Sequence, residues 1–179
     1  MNADFKAAKS LLLVVAFAFC AALFAFSATQ SKGPELKPDI SALGYFTGDW
    51  NCSGTFDKSG KVIEAQEAFQ PDLEGAWILF RHDDKAPFGY HSLAEWGWDS
   101  TLKQFVMTVQ DSGGGVRLFH SHGWDSAGLV WDGDSASSSS AVKQRFSFER
   151  LDDRHFKVSY FTLKDGQWSR VDSSTCSKR

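Results

Sequence analysis

The pair His120 and His122 is the first candidate for chemistry in this sequence. Residues two apart in a β-strand point to the same side, so both imidazoles would share a side with Leu118 and Trp124. If that side faces inward, two imidazoles enter an apolar space and could bind a metal, a haem iron or a carboxylate. A zinc site needs three or four ligands, and no neighbouring cysteine or acidic motif supplies the rest. A hydrogen-bonded or partly solvated pair is therefore the alternative interpretation.

Two acidic pairs are candidates for acid–base catalysis. Asp83 and Asp84 are adjacent, and Asp132 and Asp134 are two apart, but each pair borders a predicted turn, where aspartate commonly bonds to the local backbone. A general acid–base pair needs an enclosed site that separates its two pKa values. The sequence contains no Gly-x-Ser-x-Gly elbow, and the glycines at 113–115 lack the Lys-Ser/Thr of a phosphate-binding loop. We therefore expect no catalysis.

The first residues have the pattern of a secretory signal. Lys6 and Lys9 precede an apolar run over residues 11–26, and Ala25 and Ser27 are small residues suited to cleavage. A retained membrane anchor is the alternative, although a span needs roughly 20 apolar residues and this run is shorter. The predicted organisation is a cleavable signal peptide at 1–27, a flexible leader at 28–38 and a folded domain at 39–178.

The cysteines that remain after such cleavage are Cys52 and Cys176, because Cys20 leaves with the signal peptide. In an oxidising compartment outside the cytoplasm, two cysteines at opposite ends of a domain are expected to form a disulfide. Two unpaired buried thiols are the alternative. The sequence thus predicts an exported protein, periplasmic or extracellular, without a stable membrane span once the signal peptide is removed.

The folded domain is predicted to be all-β. Apolar residues alternate with polar ones, as at Phe146 and Phe148, and turn residues recur about every ten positions. Short connections require antiparallel pairing, and a closed up-and-down barrel leaves no sheet edge exposed. A short helix over residues 40–46 would plug one end. The ten predicted strands are 48–56, 62–70, 76–83, 91–99, 102–111, 116–124, 128–133, 142–151, 155–163 and 167–176.

Pairing of the first strand with the last would close this barrel. If Cys52 faces Cys176, antiparallel register places Trp50 opposite Lys178 and Gly54 opposite Ser174. The C-terminus is then an ordered strand. The connections around residues 84–90 and 135–141 are predicted to be the two looser ones.

Several motifs resemble one family. They are residues 43–52 (LGYFTGDWNC), 73–77 (LEGAW), 95–99 (EWGWD) with Phe105, 111–114 (DSGG) and the Thr175-Cys176 end. Together they are similar to a family of secreted bacterial domains of unknown function in the lipocalin-like (calycin) superfamily. The resemblance implies a barrel that binds small apolar molecules inside. It also implies haem in a nitrobindin-like branch, whose N-terminal glycine pattern this chain matches only in part, at Gly48, Trp50 and Gly54.

The aromatic content suits a ligand-binding interior. The chain has 7 Trp and 16 Phe residues, which can line a cavity or fill the barrel completely. We expect a monomer that binds a small hydrophobic or amphipathic molecule, with no required cofactor; a filled barrel that contacts a partner or envelope component is the alternative. A net charge of −3 without basic clusters argues against nucleic acid. The side chains expected to bind the ligand are Trp50, Trp96, Trp98, Phe105, His120, His122, Phe146 and Phe148.

Overall fold

The computed structural model describes residues 40–135 and 142–179, so the predicted signal peptide (1–27), the leader (28–38) and most of the connection at 135–141 lie outside the described residues. Two short 3₁₀ helices, Ile40–Phe46 and Leu73–Gly75, accompany eleven strands. No helix in this described part of the chain is long and apolar enough to span a bilayer. The strands are β1 (Gly48–Phe56), β2 (Val62–Asp72), β3 (Trp77–Ala86), β4 (His91–Asp99), β5 (Gln104–Asp111), β6 (Val116–Ser121), β7 (Trp124–Asp125), β8 (Gly128–Ser135), β9 (Lys143–Arg150), β10 (His155–Lys164) and β11 (Gln167–Lys178).

Ten of these strands form a closed antiparallel barrel, which confirms the predicted fold class. Neighbouring strands pair from β6 through β5, β4, β3, β2 and β1 to β11, and onward through β10 and β9 to β8. The additional pairing of β6 with β8 completes the ring, while the two-residue β7 adds to the edge of β8. Each described strand of the ring therefore has a partner on both sides, so the backbone groups of the ladder are hydrogen bonded without an exposed edge.

The seam between β1 and β11 has the predicted register. Cys52 lies opposite Cys176, Trp50 opposite Lys178 and Gly54 opposite Ser174. The two cysteines form a disulfide that joins residues 124 positions apart. The strands approach closely here, because a Cβ atom on Gly54 would lie 2.0 Å from the carbonyl oxygen of Ser173. The seam thus explains the glycine at position 54.

The N-terminal 3₁₀ helix plugs one end of the barrel, as the sequence predicted. Phe46 is fully buried and its ring packs 5.3 Å from Phe69 and 5.2 Å from Phe156. The indole N–H of Trp50 donates to the carbonyl oxygen of Phe46 over 2.7 Å, and that of Trp124 donates to the carbonyl of Ala42. We call this end of the barrel the packed end. Because the helix is held by both ring packing and hydrogen bonds, it is part of the core.

Inward-facing side chains change in character toward the opposite end. On β1 the inward series runs from Trp50 through Cys52 to Gly54, so side-chain volume falls along the strand. On β4 the buried Trp96 is followed, toward the opposite end, by Ala94 and then Ser92. Large rings fill the packed end, whereas these smaller residues on β1 and β4 leave space at the other end, which we call the cavity end.

Candidate functional site

A cavity of about 420 Å³ occupies the cavity end of the barrel. Its inner walls are apolar and come from β2, β5, β9 and β10. Phe88, in the connection after β3, lines the rim and is 62% exposed, so the cavity reaches the surface. Volumes of this size are typical of small-molecule sites. The apolar wall is formed by Ile63, Met107, Val109, Phe146, Phe148 and Val158.

His82 is the centre of one charged group in the cavity. Its Nδ1 lies 3.0 Å from Oε1 of Glu67, and its Nε2 lies 2.8 Å from Oδ1 of Asp84. Burial by itself lowers the pKa of His82, but the hydrogen bonds and charges of Asp84 and Glu67 outweigh it and raise the pKa to about 10. The imidazolium therefore donates to both carboxylates at neutral pH. Because Glu67 faces inward and is only 3% exposed, this pairing offsets the cost of burying its charge.

Arg117 is the centre of a second charged group. Its Nη2 donates to Oδ2 of Asp111 over 3.1 Å and to the hydroxyl of Tyr90 over 2.5 Å. The other oxygen of Asp111 accepts from the backbone N–H groups of Gly113 and Gly115, at the turn between β5 and β6. Asp111 thereby fixes the turn and the arginine together.

Asp172 is the carboxyl group of the cavity that stands apart from these two groups. Within residues 40–135 and 142–179 its side chain has no hydrogen bond or ion pair, although it lines the cavity. Burial raises its pKa to about 6, and the negative charges of Asp57 and Asp84 act in the same direction. His82 and Arg170 partly oppose this rise. A carboxyl of this kind can accept a hydrogen bond from a bound molecule and exchange a proton with it near neutral pH.

A group with metal-ligating side chains lies next to the cavity. Among the described residues, one ligand atom each from Cys52, Glu67 and Cys176 lies within 4.8 Å of the others. Both sulfur atoms are bonded to each other in the disulfide, so they supply no thiolate ligands. Glu67 is instead oriented toward His82.

The residues predicted to bind a ligand divide between the two ends of the barrel. Phe146 and Phe148 line the cavity. Trp50 and Trp96 are fully buried in the packed core, where Trp96 lies 5.3 Å from Phe46. Trp98 packs edge-on against Phe105, its partner across β4 and β5. The structure thus brings two of these rings into the cavity wall, and a ligand-binding role for the remaining rings stays a prediction.

The orientation considered for His120 and His122 is corrected by the structure. In β6 the inward series is Arg117, Phe119 and Ser121, of which Phe119 and Ser121 are buried, whereas Leu118 is exposed. His120 lies on the outer side, where its Nδ1 is 2.9 Å from Nε2 of Gln104, and His122 is exposed beyond the end of the strand.

The inward orientation was considered because the same side of the strand carries Leu118 and Trp124. An inward Arg117 is stable only because Asp111 and Tyr90, from other elements, pair with it.

Sequence reasoning missed most polar residues of the cavity. Glu67 offered a detectable signal, because it occupies an inward position between Ala65 and Phe69 in an alternating strand. An acidic residue at an inward position indicates a paired buried charge or a site. For His82 the signal was its place beside the looser connection at residues 84–90, which favoured a position at the barrel mouth, and His82 does line the cavity. Asp172 offered no comparable signal, since its strand alternates less clearly.

A haem iron would find no free histidine nitrogen in the described lining of the cavity. The histidine that lines the cavity is His82, and both of its ring nitrogens are occupied by Glu67 and Asp84. Coordination of an iron would require breaking one of these bonds and leaving a buried carboxylate without its partner. His120 and His122 lie outside the barrel interior.

Comparisons with known proteins give structural similarities only. No family model and no curated protein matches this chain. Sixteen solved chains are similar to it, and three of them illustrate the similarity. A de novo designed fluorescence-activating β-barrel is 15% identical, with a TM-score of 0.43, over 78% of this chain and 99% of that one. A redesigned β-barrel is 15% identical, with a TM-score of 0.39, over 77% and 95%. The protein EF1p2_mFAP2b bound to DFHBI is 12% identical, with a TM-score of 0.38, over 77% and 97%.

Proposed function

We propose that this protein is an exported, non-enzymatic barrel of the calycin type that binds one small amphipathic molecule in its interior. The observation that carries the proposal is the 420 Å³ cavity, whose apolar walls are combined with charged and hydroxyl side chains. Such a combination binds an apolar body by burial and orients it through polar contacts. The disulfide across the β1–β11 seam supports export, because such bonds persist in oxidising compartments.

The alternative of a filled barrel describes only the packed end of this molecule. Rings and the 3₁₀ helix fill the packed end, but the interior beyond Cys52 and Cys176 is hollow. Burial of an apolar ligand surface in this hollow is favourable by about 25 cal/mol per Å², which suffices for binding without a large protein interface. Ligand binding is therefore the function that this geometry supports best.

The test is to fill the cavity. Val109 lines the cavity and is 5% exposed, so a V109F ring would occupy the space that the ligand needs. Its neighbour Thr108 faces outward on the same strand, and T108F is the matched control. Calorimetric titration with naphthylethanol should show binding to the wild type and to T108F, and a loss of at least about tenfold in V109F.

Native mass spectrometry of the protein purified from its own envelope provides the complementary measurement. The expected result is a co-purifying small molecule that is present in T108F and absent from V109F. Equal binding by wild type and V109F, in variants with native circular dichroism, would show that the cavity is not the binding site.

A further inference from the structure

The balance of charge inside the cavity points to the polar group of the ligand, and the inference rests on the proposed function. Four carboxyl groups line the cavity, from Glu67, Asp84, Asp111 and Asp172, against the two cations His82 and Arg117. With all of these groups ionised, the cavity walls carry an excess of negative charge. A negative cavity attracts cations and repels anions.

Both protein cations are already paired. His82 donates one ring nitrogen to Glu67 and the other to Asp84, so it has no donor left for a ligand. Arg117 donates from its Nη2 to Asp111 and Tyr90, while its buried Nε has no hydrogen-bond partner among the described residues. An anion at that Nε would still face four carboxyl groups against two cations. The net negative charge of the cavity walls therefore favours a cation over an anion.

Asp172 remains available, and its neighbours suit a cation. It lies opposite Phe56 on β1 and opposite Tyr160 on β10, and all three side chains line the cavity. Aromatic faces attract cations through their electron-rich rings, and a carboxylate forms charge-assisted hydrogen bonds with N–H donors. A carboxylate flanked by two rings is an arrangement that binds organic ammonium groups.

We propose that the polar group of the ligand is a protonated amine that pairs with the carboxylate of Asp172 between Phe56 and Tyr160. The apolar body of the ligand then lies against the apolar wall, which includes Met107, Val109 and Phe148. The ligand class is thus an amphipathic amine, oriented with its cation toward the mouth of the barrel.

The test uses three probes with one apolar body and different head groups. Naphthylethylamine, naphthylethanol and naphthylacetate are titrated by calorimetry into the wild-type protein at pH 7.5. A charge-assisted hydrogen bond to an otherwise unpaired carboxylate should make the amine bind at least about tenfold more tightly than the alcohol. The acetate should bind most weakly.

The variant D172N should remove the preference for the amine and leave the affinity for the alcohol within about twofold. D165N is the control, because Asp165 lies in the β10–β11 turn, outside the cavity lining, and its replacement removes the same charge. The preference for the amine should persist in D165N. This pair separates a local contact from a general effect of net charge.

The pH dependence of amine binding by the wild-type protein tests the proposal without any variant. The groups that act on Asp172 are Asp57 after β1, His82 and Asp84 on β3, and Arg170 on its own strand. His82 stays protonated over the acidic range, whereas the carboxyl of Asp172, with a pKa of about 6, is neutralised as the pH falls. Affinity for the amine should therefore fall by about tenfold between pH 7 and pH 5, with no parallel fall for the alcohol.

The outcomes distinguish the two proposals. Equal affinities for all three probes, or tightest binding of the acetate, would overturn the amine assignment while leaving a ligand-binding barrel. Absence of binding by any probe would contradict the proposed function itself and the inference with it. Preference for the amine that survives in D172N would also overturn the assignment.

Discussion

The two ends of this barrel share the same strands but differ in what their inward side chains do. At the packed end Trp50, Phe46 and Trp96 fill the interior, and Trp50 is hydrogen bonded to the helix backbone. At the cavity end the corresponding inward positions hold Gly54 and Ser92, and a space of about 420 Å³ remains. The comparison teaches that the hollow arises where inward side chains become small, as along β1 from Trp50 to Gly54 and along β4 from Trp96 to Ser92. Strand number alone does not produce it.

The ends also differ in how buried polarity is satisfied. The packed end buries few charges and relies on ring contacts, such as the 4.7 Å separation between Trp50 and Phe156. The cavity end places Glu67 among apolar neighbours and pairs it with His82. Burial of a charge is costly unless a partner compensates it. The cavity end therefore needs a fixed polar network, whereas the packed end does not need one.

The largest expected effect comes from the disulfide, which lies between the two ends and should stabilise both. The double variant C52A/C176A releases a link between residues 124 positions apart. In the chain-entropy model such a loop contributes about 4 to 5 kcal/mol to the free energy of unfolding. Urea denaturation followed by tryptophan fluorescence and by far-ultraviolet circular dichroism should show one coincident transition at lower urea. Separate transitions for the two probes would mean that the ends unfold independently.

The next largest effect compares the loss of stability caused by one substitution at each end of the barrel. F46A removes a fully buried ring from the packed end and should cost about 3 to 5 kcal/mol of stability. F146A truncates a half-buried ring that already borders the cavity, so it should cost only about 1 to 2 kcal/mol.

The effects of the two variants on ligand affinity should have the opposite order to their effects on stability. F146A should weaken the affinity for naphthylethanol, whereas folded F46A should retain it. Urea denaturation and calorimetric titration of both variants provide the check. Equal losses of stability in F46A and F146A would show that the cavity end is packed as tightly as the packed end.

The smallest effect is a gain in stability at the cavity end. Asp172 has an ordinary pKa of 3.8 when unfolded, and burial with neighbouring carboxylates raises it to about 6 in the folded protein. The folded state therefore binds this proton more tightly than the unfolded state does. The resulting contribution to the free energy of unfolding is fully present below pH 3.8 and is lost as the pH rises through 6. D172N should be more stable than the wild type by about 1 kcal/mol at pH 7.5, because solvent screening reduces the cost of the partly buried charge.

The two proteins should converge in stability as the pH falls below 3.8, where the carboxyl is protonated in both the folded and the unfolded state. Urea denaturation at several pH values measures this difference, with D165N as the control. A D172N variant that is less stable than the wild type throughout this range would show that Asp172 has a stabilising partner.

Much of the fold could be predicted because its signals are local. The bounds of β1 and β4 and the helix Ile40–Phe46 agree with the predicted ranges, and the register that follows from Cys52 facing Cys176 is confirmed. The predicted strand over residues 116–124 was too long, because β6 ends at Ser121 and Gly123 adopts a φ of +94° that extended strands do not use.

The candidate site could be predicted only in part. Phe146 and Phe148 have inward positions in a strand with visible alternation, and both line the cavity. The inward position of Arg117 could not be predicted, because charged side chains usually face solvent. Its inward position depends on Asp111 and Tyr90, which are distant or on other strands, and no pattern within β6 reveals them.

The amino-acid sequence by itself determined the all-β class, the pairing of the first strand with the last and the disulfide between its cysteines. Alternation, turn chemistry and antiparallel register are properties of short segments or of the pairing of two segments. Only the tertiary structure decided which end is filled, which carboxyl is left unpaired and which face of β6 points inward. Those outcomes depend on side-chain volumes and charges that several strands contribute to one space, and the free energy of that space belongs to no single segment.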